Sequence, residues 1–240
     1  MKNYFKNKLL ISSSQCDRNS NLRFDSVLNI FQDLTTEHSK SMGTERDTLF
    51  KKSNAFWVLS KVKFRIEGKV MVSEYVNGKT WPYEPSAYRF LRENEVASKN
   101  GTIRGIAEWC VLDADTLAPR KSDSIIYPRK LKYLKPIYLE SFTRFNNKLE
   151  ESDYVYTYKV AYTDIDLNGH VNNVSYSKMA LNVFSPEELE EYGFTAFEIH
   201  FLAQTYFNYE IKIYKKETEN GVYIEGRYND KAVFKTLFTK

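Results

Sequence analysis

The chain has 240 residues, 42% of them hydrophobic and 15% aromatic, and a formal net charge of +4. That length suits one large domain or two small ones and buries roughly 70–75% of the unfolded surface without covalent staples. The mild charge does not call for a nucleic-acid partner, 9 Gly and 6 Pro exclude a low-complexity chain, and two cysteines, Cys16 and Cys110, exclude a disulfide framework or a cysteine zinc site. No apolar run reaches the length of a membrane-spanning helix. The start, Met1-Lys2-Asn3-Tyr4-Phe5-Lys6-Asn7-Lys8, lacks the apolar core of a signal peptide. The expectation is a soluble, cytoplasmic protein. Its 18 Tyr and 16 Phe favour sheet, because such rings suit half-buried pleated surfaces.

Phe5, Leu9 and Ile11 alternate as a half-buried strand does. Asp17-Arg18-Asn19-Ser20-Asn21-Leu22 reads as a turn. Phe24, Val27, Leu28, Phe31, Leu34, His38 and Met42 then follow helical spacing, with Gly43 as the stop. Strands are expected at 56–66, 69–75, 87–92 and 102–113. Between 120 and 135 lie Arg120, Lys121, Arg129, Lys130, Lys132 and Lys135 against the single acid Asp123, a local charge of +5. Such a stripe can steer an acidic partner; equally, it can be a solvated linker. Residues 131–152 join the two halves.

The second half repeats the first 149 positions on. Tyr154, Tyr158 and Val160 alternate in their turn, and Asp166-Leu167-Asn168-Gly169-His170-Val171 has the spacing of the earlier turn. A helix is expected through Val174, Tyr176, Ala180, Val183 and Phe184. Ser185-Pro186-Glu187-Glu188 reads as a fresh N-cap with proline at the first helical position, and Gly193 closes that helix. Strands are expected at 197–202, 210–215, 222–228 and 232–239. A strand, a helix and a run of strands, written twice, is a duplicated unit whose sheets pair to hide their edges.

The stretch from Tyr162 to Tyr176 carries the chemistry. Asp166, Asn168 and His170 cluster where a strand turns into a helix, and the free N–H groups of a helix start add partial positive charge. Such a junction can polarise a carbonyl and activate water. Of three histidines, His38 sits on an apolar helix face and His200 in an alternating strand, both structural positions. His170 sits in the turn, and imidazole changes protonation near neutral pH. The bland reading makes Asp166 and Asn168 plain turn formers. The first-half turn holds Asn21 where the second holds His170, so one titratable site per chain is expected.

Asp166, Asn168, His170, Val171, Asn172, Asn173 and Tyr176 form the pattern D-x-N-x-H-V-N-N-x-x-Y. It resembles the matching segment of the acyl-acyl-carrier-protein (acyl-ACP) thioesterases of plants and bacteria. Thr80-Trp81-Pro82 is similar to that family's T-W-P turn, and Trp109, Asp113, Pro119 and Arg120 to its W-x-x-x-D strand and basic exit. The resemblance implies an α+β fold, a tandem double hotdog with two long central helices, each wrapped by a curved antiparallel β-sheet. It gives an N-terminal hotdog at 1–130 for the acyl chain, a linker at 131–152 and a catalytic C-terminal hotdog at 153–240. It also implies a thioester hydrolase that releases free fatty acid from acyl-ACP and ends chain elongation.

By the same resemblance Asp166, Asn168 and His170 are catalytic. The family places an acid 34 positions beyond the histidine, where this chain has Gln204, which hydrogen-bonds but does not take a proton at useful pH. Thr205 stands where plant relatives have cysteine, against a Cys–His pair. Water would attack the thioester carbonyl. Asp166, with or without His170, activates it, Asn168 and backbone N–H groups hold the oxyanion, and Gln204 orients one of them. Asp166 reads equally as the base and as an orienting carboxylate. Neither a metal nor an organic cofactor is implied. The partner is an acidic carrier protein bearing a phosphopantetheine arm, docked by Arg129, Lys130 and Lys132. The acyl tunnel would run beside the first helix, near Phe31, Met42, Trp57 and Trp81. Rival readings are an acyl-CoA thioesterase, a non-catalytic acyl-thioester binder and a structural scaffold. Acyl length and the existence of a homodimer stay open.

Overall fold

Alternation in Phe5–Leu10 produces β1, an edge strand whose exposed Lys6 and Lys8 discourage pairing with another chain. The computed structural model describes residues 3–128, 131–138 and 140–240, and it falls into two units, Met1–Glu140 and Ser141–Lys240. In the first unit the helically spaced apolar residues form α1, Phe24–Met42, with Val27, Leu28, Phe31, Leu34, His38 and Met42 buried. Gly43 ends it in the left-handed region: its N–H donates to Lys40 O at 3.1 Å, and the Thr44 N–H to Ser39 O at 3.0 Å. A second helix, α2, Arg46–Ser53, was not expected, because Leu49 is its only buried residue.

The strands of this unit are β2 (Ala55–Gly68), β3 (Tyr75–Pro82), β4 (Phe90–Ala97) and β5 (Gly101–Asp113). They run antiparallel in the order β1-β3-β4-β5-β2. Helix α1 packs on this sheet so closely at Gly78 that a Cβ there would stand 2.9 Å from a Leu34 methyl. Two expected strands are shifted. The one placed at 69–75 begins only at Tyr75, because the Glu74 carboxylate accepts the Met71 N–H at 3.2 Å and holds a turn there. Thr80, Trp81 and Pro82 consequently lie inside β3 and not in a turn after it. The one placed at 87–92 begins at Phe90, since Ser86 donates its N–H to Arg89 O and closes a turn.

The second unit contains β6 (Tyr154–Lys159), α3 (Asn173–Leu181), α4 (Pro186–Tyr192), β7 (Ala196–Phe201), β8 (Glu210–Thr218), β9 (Gly221–Tyr228) and β10 (Lys231–Thr239). Its strands are antiparallel in the order β7-β10-β9-β8-β6. The expected second long helix is short. Helix α3 has 9 residues, because Ser185 caps a new helix by accepting the Glu188 N–H and Pro186 cannot continue the old one. Tyr176 and Met179 are buried, and the Tyr176 ring lies 5.4 Å from that of Phe234 on β10.

The repeat is visible in the backbone. One 3-10 turn spans Ser13–Gln15 and another Tyr162–Asp164. Isolated bridges join Cys16 to Leu22 and Ile165 to Val171. Each second member lies 149 positions after the first. Between the repeats, buried carboxylates hold the chain. Glu93 accepts N–H groups from Ile137 at 3.0 Å and Tyr138 at 2.7 Å in the first unit. In the second, Glu198 accepts the Thr143 N–H at 2.7 Å and its hydroxyl at 2.8 Å. Among the described residues no helix is long and apolar enough to cross a membrane.

Candidate active site

The turn between β6 and α3 is built by its own side chains. The Asp166 N–H donates to His170 O at 2.9 Å and the Gly169 N–H to Asp166 O at 3.0 Å. Gly169 takes φ +77 and faces open space, so the turn is tight without crowding. One Asp166 oxygen accepts the Asn168 N–H at 2.7 Å and the other the Asn168 Nδ2 at 3.2 Å. The first turn is built in the same way: Asp17 Oδ1 accepts the N–H of Asn19 at 2.9 Å and of Asn21 at 2.8 Å. Asn168 is exposed, and Asp166 and His170 are half-buried. At the start of α3, Asn172 caps the helix. Its Oδ1 accepts the Val174 N–H and its carbonyl the Ser175 N–H, so these two donors are already engaged.

A second segment, residues 202–209 between β7 and β8, lies against this turn. The Val171 N–H donates to Thr205 O at 3.0 Å. Thr205 is fully buried, and its N–H and hydroxyl meet the Tyr176 hydroxyl at 3.1 and 2.8 Å. Burial pushes the Tyr176 phenol above its ordinary range; the Thr205 hydrogen bonds oppose this, and the nearby Asp166 carboxylate adds to it. The Tyr206 ring lies 5.2 Å from the His170 ring at 74°. Among the described residues no hydrogen bond reaches the His170 imidazole, from Asp166 or elsewhere. Tyr162, Leu167, Leu202 and Phe207 leave apolar surface exposed around the turn.

The other expected residues are placed as follows. Gln204 lies three residues beyond the end of β7, exposed, with no hydrogen bond among the described residues. Arg129 and Lys130 lie outside the described residues, and Lys132 is exposed, its carbonyl accepting from Asn3 Nδ2 at 2.7 Å. Arg120, counted with the basic segment, is committed internally to Asp113 at 2.9 Å and Ser53 O at 3.2 Å. Phe31, Met42 and Trp81 are buried and Trp57 half-buried. His38 and His200 are structural. His38 Nδ1 meets Arg92 Nη1 at 2.9 Å inside the first unit, where burial brings the guanidinium down to about 10. His200 Nε2 meets Glu198 at 2.7 Å. Among the described residues no group of three or more His, Cys, Asp or Glu side chains could hold a metal ion. Sequence reasoning missed Tyr206 and the Tyr176–Thr205 pair. Tyr176 stood in the motif, but nothing local announced that Thr205 and Tyr206, 35 and 36 positions beyond His170, would meet Tyr176 and His170.

Against this geometry stand three comparisons. A family model of the acyl-ACP thioesterase N-terminal domain matches residues 2–125, more than half of the chain, and one of the acyl-ACP thioesterase C-terminal domain matches residues 147–236. Oleoyl-acyl carrier protein thioesterase 1, chloroplastic, of Arabidopsis thaliana is 23% identical over 202 residues, covering 77% of this chain and 56% of that one. The chain thus spans about half the length of the curated relatives it matches. Two solved structures share its fold. An acyl-ACP thioesterase from Bacteroides thetaiotaomicron has a TM-score of 0.84 at 22% identity, covering 99% of this chain and 97% of that one. The 12:0-ACP thioesterase from Umbellularia californica has a TM-score of 0.84 at 15% identity, covering 100% and 97%.

Proposed function

The chain belongs to the acyl-ACP thioesterase family, and from that premise we propose that it hydrolyses the thioester of a fatty acyl-acyl carrier protein to the free fatty acid. One observation carries the reading. Of two turns closed by the same backbone bonds, only the second presents a titratable imidazole, His170 where the first has Asn21, beside a carboxylate and a side-chain amide.

We infer the following division of labour. Both Asp166 oxygens accept from Asn168, so the carboxylate fixes the amide in place. The second Nδ2 hydrogen of Asn168 then serves the oxyanion. His170 takes the proton from water as the water oxygen attacks the carbonyl carbon. The tetrahedral oxyanion collapses, the C–S bond breaks, and His170 returns the proton to the departing thiolate. The products are the free acid and the thiol of the phosphopantetheine arm. Gln204, at the position where the family carries an acid, orients the water through hydrogen bonds.

On the same reading the two units are tandem hotdogs. The first serves the acyl chain, the second catalysis, and 131–152 connects them. Arg129, Lys130 and Lys132 meet the acidic carrier in the cytoplasm, a compartment consistent with two free cysteines. Release of free acid from a panel of acyl-ACPs and matched acyl-CoAs tests the proposal. Faster turnover of the carrier-bound substrates supports it; no turnover of any thioester sinks it.

A further inference from the structure

We propose that Tyr206 is a positioning residue for His170: its ring is the support that holds the imidazole in its working orientation. The proposal rests on the hydrolytic reading of His170. It starts from an asymmetry in how the turn is held. Asp166 and Asn168 are locked to one another by two hydrogen bonds, whereas the His170 ring has none among the described residues. An imidazole acting as base and then as acid needs a defined direction for its nitrogens. Elsewhere a carboxylate supplies that direction; here the Asp166 oxygens are turned to Asn168. The packing partner of the imidazole is the Tyr206 ring, 5.2 Å away at 74°, the edge-to-face arrangement that aromatic pairs prefer.

Tyr206 is itself backed by a row of rings. Its ring lies 5.5 Å from that of Tyr209 at 63°. Tyr209 stacks on Tyr228, at the end of β9, at 3.9 Å and 12°. The backbone is equally anchored. The Tyr209 N–H donates to Tyr206 O at 3.1 Å and closes a turn. That turn is pinned to Val160, just past β6, by Asn208 N–H to Val160 O at 3.1 Å and Val160 N–H to Tyr209 O at 2.9 Å. The imidazole therefore leans on a ring whose own support reaches the sheet. Tyr206 keeps 41% of its surface exposed, so its removal leaves no core cavity.

The test uses the full chain on one acyl-ACP, with wild type, Tyr206→Phe, Tyr206→Ala, His170→Ala and the double variant His170→Ala/Tyr206→Ala. Tyr206→Phe keeps the ring and should stay within about twofold of wild type. Tyr206→Ala should lower kcat by about 10–100-fold, the scale of a misplaced catalytic group, with KM nearly unchanged. In the His170→Ala background the same substitution should cost nothing more, because a residue acting through His170 has no effect once His170 is gone. NMR relaxation of the labelled His170 ring should show faster motion in Tyr206→Ala. Wild-type kcat in Tyr206→Ala, or an equal loss in both backgrounds, would overturn the proposal. Full activity in His170→Ala alone would overturn the hydrolytic reading of that histidine and the role of Tyr206 together.

Discussion

Tyr176 and Thr205 are joined twice. The Thr205 N–H donates to the Tyr176 hydroxyl at 3.1 Å, and the two hydroxyls meet at 2.8 Å. This contact fastens the loop after β7 to the helix that follows His170, and the loop carries Gln204 and Tyr206.

Tyr176→Phe removes the shared hydroxyl and leaves the fully buried Thr205 N–H and hydroxyl without it. An orphaned buried polar group costs about 1–3 kcal/mol. Denaturant unfolding should show a loss of that size, and kcat should fall with it because the loop is released. Unchanged stability would mean that solvent reaches Thr205.

Gln204 lies beside this contact, exposed and without a hydrogen bond among the described residues. If its amide holds water in the Michaelis complex, Gln204→Ala should lower kcat by about 10²-fold, the size of one lost positioned group. Gln204→Glu keeps an acceptor oxygen and should be milder, with a displaced pH–rate profile. A nearly inactive wild type revived by Gln204→Glu would instead mark a decayed site.

The stripe of charge from 120 to 135 supplies the docking prediction. Replacing Arg129, Lys130 and Lys132 with Ala should raise KM for acyl-ACP and flatten its salt dependence, since attraction to a polyanion is screened. Hydrolysis of a small acyl-CoA should barely change. Equal effects on both substrates would make the segment a connector only.

The Tyr158 hydroxyl donates to Asp164 at 2.9 Å. Burial first, then the Asp164 hydrogen bond and charge, push this phenol from 10.0 up to about 12. A raised folded-state value contributes stability that is intact below pH 10 and lost as pH climbs from 10 to 12. Wild type should therefore lose more stability across that window than Tyr158→Phe, as read by urea midpoints. Parallel curves would show that the hydrogen bond does not hold the proton.

The legible parts of this fold are those encoded locally. Helix α1 announces itself because its buried residues recur at helical spacing and Gly43 caps it. The turn at Asp166 is readable because its Asx side chain bonds its own backbone, as Asp17 does earlier. Helix α2 was missed because its face buries only Leu49. Strand β3 was displaced because the preceding turn is closed by the Glu74 carboxylate and needs neither glycine nor proline. The Asp166, Asn168 and His170 set is local and came from the motif. The support of His170 by Tyr206 is tertiary: the residues are 36 positions apart, and the bonds of Thr205 to Val171 and Tyr176 bring them together.

Thioester hydrolysis through His170 is tested by kcat on acyl-ACP for His170→Ala and Asp166→Ala, each with its Tm measured alongside. Loss of positioned acid–base help costs about 10²–10⁴ in rate, so His170→Ala should fall into that range, and Asp166→Ala should lose about 10²–10³ through the Asn168 amide that it holds, while Tm hardly moves. Near wild-type kcat in purified, folded His170→Ala would contradict it.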